Sequence, residues 1–272
     1  MNEMIYHYCS IEVLESILCS KSLRFSELKK SNDKAEIKFF FDVYKEYCEA
    51  IQSPLMESME YLIENAINNT NYVGICFSYS SDSKYMWENY SKQGVAIGFE
   101  RSSIEEYAKK IMVSPSVVIG DYEVAGGGAL SKDVEYKTKE EIIDLFRKQK
   151  LIQDINDSRW IIFYRTEGLF IKQKHNNSEK EFRIIVQIPI NCNNDAICLT
   201  ENNNYEMKLF EMKRWDHRGE KDIHYFDVSF DKRLIRSITL SPNCVVSIDQ
   251  VKSILFKYGF DVSNIQIKQS NL

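Results

Sequence analysis

Two glutamates and an arginine lie close together in the segment E-K-E-F-R at residues 179–183. The segment opens the clearest predicted strand, Glu181 to Ile190, which is rich in Ile and Val. Because alternate side chains of a strand share a face, we expect Glu179, Glu181 and Arg183 to point the same way. Two carboxylates and a guanidinium on one face would form an electrostatic site able to orient a substrate or stabilise a charge.

The same alternation has a plainer interpretation. Phe182, Ile184 and Val186 would point to the other side of this strand. Apolar residues on one face and polar residues on the other are typical of a half-buried strand whose second face meets water. From the alternation alone this is the commoner case, so the sequence leaves both interpretations open.

A second polar group has the spacing N-D-x-x-E and comprises Asn32, Asp33 and Glu36, at the start of a long amphipathic helix. Asn32 or Asp33 suits the N-cap of that helix, and Glu36 in the first turn complements the helix dipole. The same carboxylates would also suit the rim of a pocket. Both interpretations are retained.

Aromatic residues follow a serine-rich turn that begins at Ser78. Trp87 and Tyr90 lie three residues apart on a predicted helix, Lys84 to Tyr90, a spacing typical of core packing. The serine hydroxyls offer uncharged donors that could bind a phosphate or a ribose. In that case the neighbouring aromatic residues would be a surface on which a ligand ring stacks. His7 lies on the predicted first strand, where a lone histidine is commonly structural.

Composition limits the function classes. The chain has 272 residues, 44% hydrophobic and 28% charged, which suits a globular protein with a buried core. Lys and Arg total 35 against 40 Asp and Glu, and this balance of −5 argues against holding nucleic acid by bulk charge. No apolar run approaches the ~20 residues of a spanning helix. The seven cysteines form no C-x-x-C pair, and the N-terminus lacks a basic signal region, so a cytoplasmic protein is expected.

The elements that must position these residues alternate between strands and helices. The prediction is one α+β domain over residues 1–272, with N-terminal helices and a mixed, mostly antiparallel sheet. The signatures of P-loop proteins, Rossmann dehydrogenases, zincins and α/β-hydrolases are missing from the sequence.

The order of the motifs resembles a widespread bacterial family of unknown function, over nearly the whole chain. The motifs that carry the resemblance are Tyr6-His7-Tyr8, N-D-x-x-E at 32–36, Cys76-Phe77-Ser78, Met86-Trp87-x-x-Tyr90, Gly94 to Phe99, Glu179-x-Glu181-x-Arg183 and Ile238 to Pro242. Together they are fairly specific, whereas none is specific alone.

A second resemblance is to the layout of ADP-ribosyltransferases. It rests on a strand–helix–strand beginning with Tyr6-His7, a hydroxyl at the strand end, and a late Glu-x-Glu. This resemblance implies a split sheet, NAD as co-substrate, Glu181 as the catalytic carboxylate and Glu179 as the second acid. The residues it implies for binding NAD are His7, Ser78, Tyr85, Trp87, Tyr90 and Arg183. Further pocket candidates are Asn32, Asp33, Glu36 and Lys172.

The favoured function is thus that of an ADP-ribosyltransferase, a bacterial toxin or phage-defence effector that modifies a cytoplasmic protein or nucleic acid. No metal and no membrane contact are expected, and an antitoxin or other regulatory partner would suit the role. Two alternatives stay open. One is a nuclease that holds Mg²⁺ with Asp33, Glu36, Glu179 and Glu181. The other is a non-catalytic ligand-binding or regulatory domain with a stacking platform around Trp87.

Overall fold

The structure is a computed structural model. It describes residues 3–30, 38–52, 68, 70–113, 117–119, 122–124, 128–149, 163, 166–189, 197–201, 204–210, 213–217 and 220–272. The predicted site residues Asn32, Asp33 and Glu36 lie outside the described residues.

The described strands are numbered in chain order. They are β1 (Met4–Cys9), β2 (Ser22–Glu27), β3 (Thr70–Ser78), β4 (Val95–Glu100), β5 (Ile111–Val113), β6 (Val117–Ile119), β7 (Tyr122–Val124), β8 (Leu130–Asp133), β9 (Glu135–Lys137), β10 (Ile171–Gln173), β11 (Glu181–Pro189), β12 (Ile197–Glu201), β13 (Asn204–Phe210), β14 (Lys213–His217), β15 (Glu220–Ser229), β16 (Ile235–Leu240) and β17 (Gln266–Gln269). The α-helices are α1 (Ile11–Ser20), α2 (Phe39–Ala50), α3 (Lys84–Tyr90), α4 (Arg101–Lys109), α5 (Lys139–Gln149) and α6 (Ile248–Lys257).

The main sheet has ten strands and draws on both ends of the chain. Its path runs β14–β15–β2–β3–β1–β4–β16–β17, while β11 pairs with β3 and β8 pairs with β11. Its pairings are antiparallel except for β16 with β17. The predicted α+β class with a mixed, mostly antiparallel sheet is confirmed.

Local sequence explains where several helices begin. Ser10 and Ser83 precede α1 and α3, and the side chain of each accepts a hydrogen bond from a backbone N–H of the first turn. Ser247 caps α6 with a complete capping box, because its side chain accepts from the Gln250 N–H and its own N–H donates to the Gln250 side-chain oxygen. Caps of this kind satisfy N–H groups that have no partner within the helix.

The two faces of the main sheet differ in chemistry. Residues opposite one another in antiparallel strands share a face, so alternation assigns Ile5, Phe77 and Phe182 to one side, here called the core face. These residues belong to the largest apolar cluster, into which α1, α4 and α6 also pack. The other side, here called the opposite face, carries Ser78 and Glu181, which are register partners.

Two smaller clusters cover the opposite face. Phe40 and Tyr44 of α2 pack with Phe146 of α5 over β3 and β11. Met86 and Trp87 of α3 pack on the end of β1 and on β4. The opposite face therefore has one covering layer over β3 and β11 and another over β1 and β4.

The strands β1 and β2 both pair with the same edge of β3, and the positions between their two pairings have no partner on that edge among the described strands. The β1 pairing involves Tyr6 opposite Ser78, whereas β2 pairs at Ser26 opposite Gly74 and at Glu27 opposite Val73. Between these two points, the His7 ring approaches the Cys76 carbonyl oxygen at 3.0 Å. A side chain thus reaches the β3 edge where the two neighbouring strands diverge.

Several element predictions change in detail. The helix predicted after Asn32 and Asp33 is described from Phe39 to Ala50, and its predicted first turn lies outside the described residues. The sequence pattern of residues 116–124 favours one strand, whereas the structure describes two short strands there, β6 and β7, which pair antiparallel. Among the described helices, none combines the length and hydrophobicity needed to cross a bilayer.

Substituting Gly98 tests the close packing of β1, β4 and β16. A Cβ on Gly98 would lie 2.1 Å from Ser237 Oγ and 2.8 Å from the Tyr6 ring. We expect Gly98→Ala to lower the free energy of unfolding by about 1–3 kcal/mol, the usual cost of overpacking. Chemical denaturation of the wild type and of Gly98→Ala would measure this loss of stability.

Ser237→Ala is the matched control. Ser237 Oγ is buried and has no hydrogen-bond partner among the described residues, so its removal alone should leave stability unchanged or slightly higher. The Gly98→Ala/Ser237→Ala double variant should recover part of the loss. Strict additivity of the two changes would contradict the close contact.

Candidate active site

Lys172 joins the two glutamates. Its Nζ donates to Glu179 Oε2 at 2.7 Å and to Glu181 Oε2 at 2.9 Å. The side chains of Lys172, Glu179 and Glu181 are 4%, 6% and 5% exposed, so water screens these charges poorly. One ammonium group therefore holds both carboxylates in a fixed arrangement.

Arg183 completes the contacts of Glu181. Its Nε donates to Glu181 Oε1 at 2.7 Å and its NH2 group to Oε2 at 3.1 Å. A third hydrogen bond, from the NH1 group to the Leu169 carbonyl oxygen at 3.1 Å, fixes the guanidinium plane. The two-pronged contact with a carboxylate is the strongest geometry available to arginine.

Glu179 has different partners. The Tyr90 hydroxyl donates to Glu179 Oε1 at 2.6 Å. The backbone is held as well, because the Ser78 hydroxyl donates to the Glu179 carbonyl oxygen at 2.7 Å. Tyr90 thus connects the acid pair with α3, and Ser78 connects the acid pair with the end of β3.

The local backbone explains why both glutamates reach one lysine. Glu179 ends a 3₁₀ helix, Lys174–Glu179, and Lys180 adopts the left-handed conformation with φ of 44°. This turn lets Glu179 point to the same side as Glu181 although it lies outside β11. Lys172 stands on β10, opposite Tyr136 of the parallel strand β9.

Tyr136 was not predicted from the sequence. Its hydroxyl oxygen accepts a hydrogen bond from the Glu181 N–H at 3.0 Å. The side chain of Cys76, which faces Arg183 in the strand register, also hydrogen-bonds Glu181. Neither residue belongs to a spacing pattern with Glu179 and Glu181, so only the paired strands reveal them.

The environment shifts the pKa values of the two glutamates in opposite directions. Burial alone would raise the pKa of Glu181, but the positive charges of Arg183 and Lys172 outweigh it and hold the pKa at about 2. Burial dominates at Glu179 and raises its pKa, although Lys172 and Tyr90 oppose the change. Burial, followed by the negative charge of Glu179, also raises the pKa of Tyr90.

Much of the predicted site comes together. Glu179, Glu181, Arg183, Lys172, Tyr90 and Ser78 form one contact network. Arg183 is fully buried and Glu181 is 5% exposed, so the interpretation of this side of the strand as solvent-facing is wrong.

Other predicted residues lie apart from this network. His7 alternates with Tyr6 and so lies on the core face, where its ring packs edge-on against Phe77 at 5.9 Å. Burial lowers the pKa of His7, which favours the neutral ring. Trp87 packs against Tyr8 with ring centroids 4.6 Å apart.

The aromatic residues of α3 have two environments. Trp87 is 4% exposed, and its indole N–H donates to Asp82 at 2.8 Å. Tyr85 and Tyr90 are only partly buried at the border of the same cluster. The helix is therefore anchored through Trp87, and of its two partly buried tyrosines Tyr90 reaches the acid pair.

The described residues contain no group of three His, Cys, Asp or Glu side chains suited to hold a metal ion. Lys172 occupies the position between Glu179 and Glu181 that a cation shared by the two carboxylates would take.

Comparisons with known proteins give two matches. Residues 86–184 match the sequence profile of a family described as a protein of unknown function, DUF2971. This confirms the predicted resemblance over that segment, which includes Tyr90, Glu179, Glu181 and Arg183. No curated protein matches the chain.

Among solved structures, the chain is similar to Thermus sp. 2.9 DarT in complex with ADP-ribosylated ssDNA. The similarity covers 98% of this chain and 94% of that chain, at 10% sequence identity and a TM-score of 0.33.

Replacing Arg183 tests the energetics of the network. Arg183→Met leaves Glu181 with one charged partner in a buried site, so the free energy of unfolding should fall by about 3–5 kcal/mol. Arg233→Met is the control, because Arg233 pairs with Asp231 at the same sequence spacing but is 86% exposed. That change should leave the free energy of unfolding in urea denaturation nearly unchanged, because an exposed ion pair adds little to stability. Equal losses would contradict the buried contribution.

The low pKa of Glu181 predicts a pH dependence of stability. The folded state favours the ionised carboxylate, so this contribution is present above the ordinary pKa of 4.5 and is lost as the pH falls toward 2. Melting curves of the wild type and Glu181→Gln should therefore differ most near neutral pH and converge near pH 2. A constant difference over the whole range would contradict this assignment. The raised pKa of Glu179 acts in the other direction, with stabilisation lost as the pH rises through it.

Proposed function

We propose that the protein transfers ADP-ribose from NAD to a macromolecular acceptor, with the acid pair Glu179 and Glu181 at the reacting centre. The observation that carries the proposal is the fixed carboxylate pair bridged by Lys172, with the Tyr90 hydroxyl on Glu179. Among the described residues, no other pair of carboxylates shares one buried lysine in this way.

The chemistry of NAD cleavage suits such a pair. The bond between nicotinamide nitrogen and the ribose C1′ breaks, its electrons leave with nicotinamide, and positive charge develops on the ribose. A carboxylate held in place stabilises that charge without reorganising during the reaction. The acceptor then bonds to C1′ and gives up a proton. Because nicotinamide leaves as a neutral molecule, the step does not depend on a strong general acid.

Aromatic side chains close to the acid pair support the binding of the nicotinamide ring. Tyr6, Tyr85 and Tyr90 are partly buried residues of one cluster. The Tyr90 ring, whose hydroxyl contacts Glu179, would provide aromatic surface for stacking a nicotinamide beside that carboxylate. His7 lies on the core face, so the proposal assigns it no contact with NAD.

The biological part of the proposal is a toxin or phage-defence effector acting in the cytoplasm. The acceptor is a protein or a nucleic acid, and an antitoxin or another regulator would be its partner. With a net charge of −5, a nucleic-acid acceptor would depend on local contacts rather than bulk attraction.

A non-catalytic binding domain is the second candidate function. The observation that favours it is the complete pairing of Lys172, Glu181 and Arg183, which also suits a purely structural network. The two candidates differ in one measurable respect. A binding domain would bind its ligand without consuming it.

Incubation with NAD tests the proposal. The wild type should release nicotinamide, measured by chromatography, and Glu179→Gln/Glu181→Gln should lose at least about 10²-fold of the rate. Glu88→Gln is the control, because Glu88 lies on α3 with a 62% exposed side chain. Its rate should equal that of the wild type.

The outcomes separate the two candidates. A rise in melting temperature with NAD but no nicotinamide release would favour the binding domain. Neither release nor a thermal shift in the wild type would overturn the ADP-ribosyltransferase proposal. Circular dichroism of each variant would show whether a lost rate reflects a lost fold.

A further inference from the structure

The two glutamates differ in how fully their oxygens are used. An ionised carboxylate has about four sites that accept hydrogen bonds, two on each oxygen. Glu181 receives two contacts from Arg183, one from Lys172 and one from the side chain of Cys76. Most of its accepting capacity is therefore taken up by Arg183 and Lys172.

Glu179 is used only in part. Its Oε1 accepts from Tyr90 and its Oε2 from Lys172. Among the described residues, the Glu179 carboxylate has no further donor, so each oxygen keeps one accepting site.

From this difference we propose that Glu179 is the catalytic carboxylate that accepts a hydrogen bond from the NAD ribose. Glu181 is then a positioning residue that acts through Lys172. The inference rests on the proposed ADP-ribosyl transfer and reverses the roles that the sequence resemblance implies for the two acids.

Positioning by Glu181 has a clear physical route. Arg183 holds the Glu181 carboxylate, and Glu181 Oε2 holds the Lys172 ammonium 2.9 Å away. Lys172 then reaches Glu179 Oε2 at 2.7 Å. Ser78 and Tyr90 hold Glu179 from β3 and α3, so its position is defined from three directions.

Amide variants separate the two roles. Glu179→Gln should reduce kcat for nicotinamide release by at least about 10²-fold. Its melting temperature should change little, because a glutamine oxygen still accepts from Lys172. Glu181→Gln should lower the melting temperature strongly, because the buried Arg183 guanidinium loses the negative charge that balances it, and should keep measurable turnover.

The pH profile supplies a readout that a merely structural role would not move. The groups around Glu179 are Lys172 on β10, Glu181 on β11, Tyr90 on α3 and Tyr136 on β9. Removing the Glu181 charge takes away a like charge beside Glu179, which lowers the Glu179 pKa. The acidic limb of the kcat profile should therefore move to lower pH in Glu181→Gln.

Substitution of each glutamate by aspartate provides a second test in case an amide variant fails to fold. Glu179→Asp withdraws the catalytic oxygen and should cost about 10²-fold in kcat, whereas Glu181→Asp keeps the charge and should cost less than about tenfold. Full loss of turnover in folded Glu181→Asp, with turnover retained in Glu179→Asp, would overturn the assignment. Equal losses would overturn it too.

Failure of this inference differs from failure of the proposed function. If the wild type releases nicotinamide but the order of the variants is reversed, the function stands and the roles are wrong. If the wild type releases none, the proposed function fails and takes the inference with it.

Discussion

One lysine shared between two carboxylates is the constraint on which the candidate site depends. Lys172 lies within 2.9 Å of both Glu179 and Glu181, where few water molecules can screen the charges. Burying four charged groups costs several kcal/mol per ion unless each finds partners of good geometry. The strands must therefore deliver Lys172 and Arg183 to the glutamates, and the paired ladders of β9–β10 and β3–β11 do so.

The two-faced sheet makes this burial possible. Its core face supplies the main apolar cluster, so the fold does not depend on the opposite face for its principal hydrophobic contacts. On the opposite face, two separate covering layers meet near the end of β3. Tyr90 belongs to one layer and Lys172 adjoins the other, and both contact Glu179. The acid pair thus lies where the two layers meet, and movement of α3 would change the Tyr90 contact without disturbing Arg183.

Sequence patterns predicted the strand-borne part of the site and missed the part that depends on pairing. Alternation placed Glu181 and Arg183 together, because a strand has a period of two whatever lies across from it. Alternation could not show whether that face is covered, since the covering residues come from α2, α5 and β10. Tyr136 and Cys76 reach Glu181 only through strand register, for which the sequence carries no local signal. The resemblance implies that His7 lies in the pocket, but the same alternation rule places it on the core face.

The distribution of charge within the cluster bears on which acid can act. Arg183 contacts only Glu181 among the two glutamates, whereas Lys172 divides its contacts between both. Glu181 is thus surrounded by more positive charge than it carries, and Glu179 by less. The remaining negative potential lies at Glu179, beside the partly exposed Tyr90. A positive charge that develops on a substrate is stabilised where negative potential remains, because a carboxylate already neutralised has little attraction left to offer.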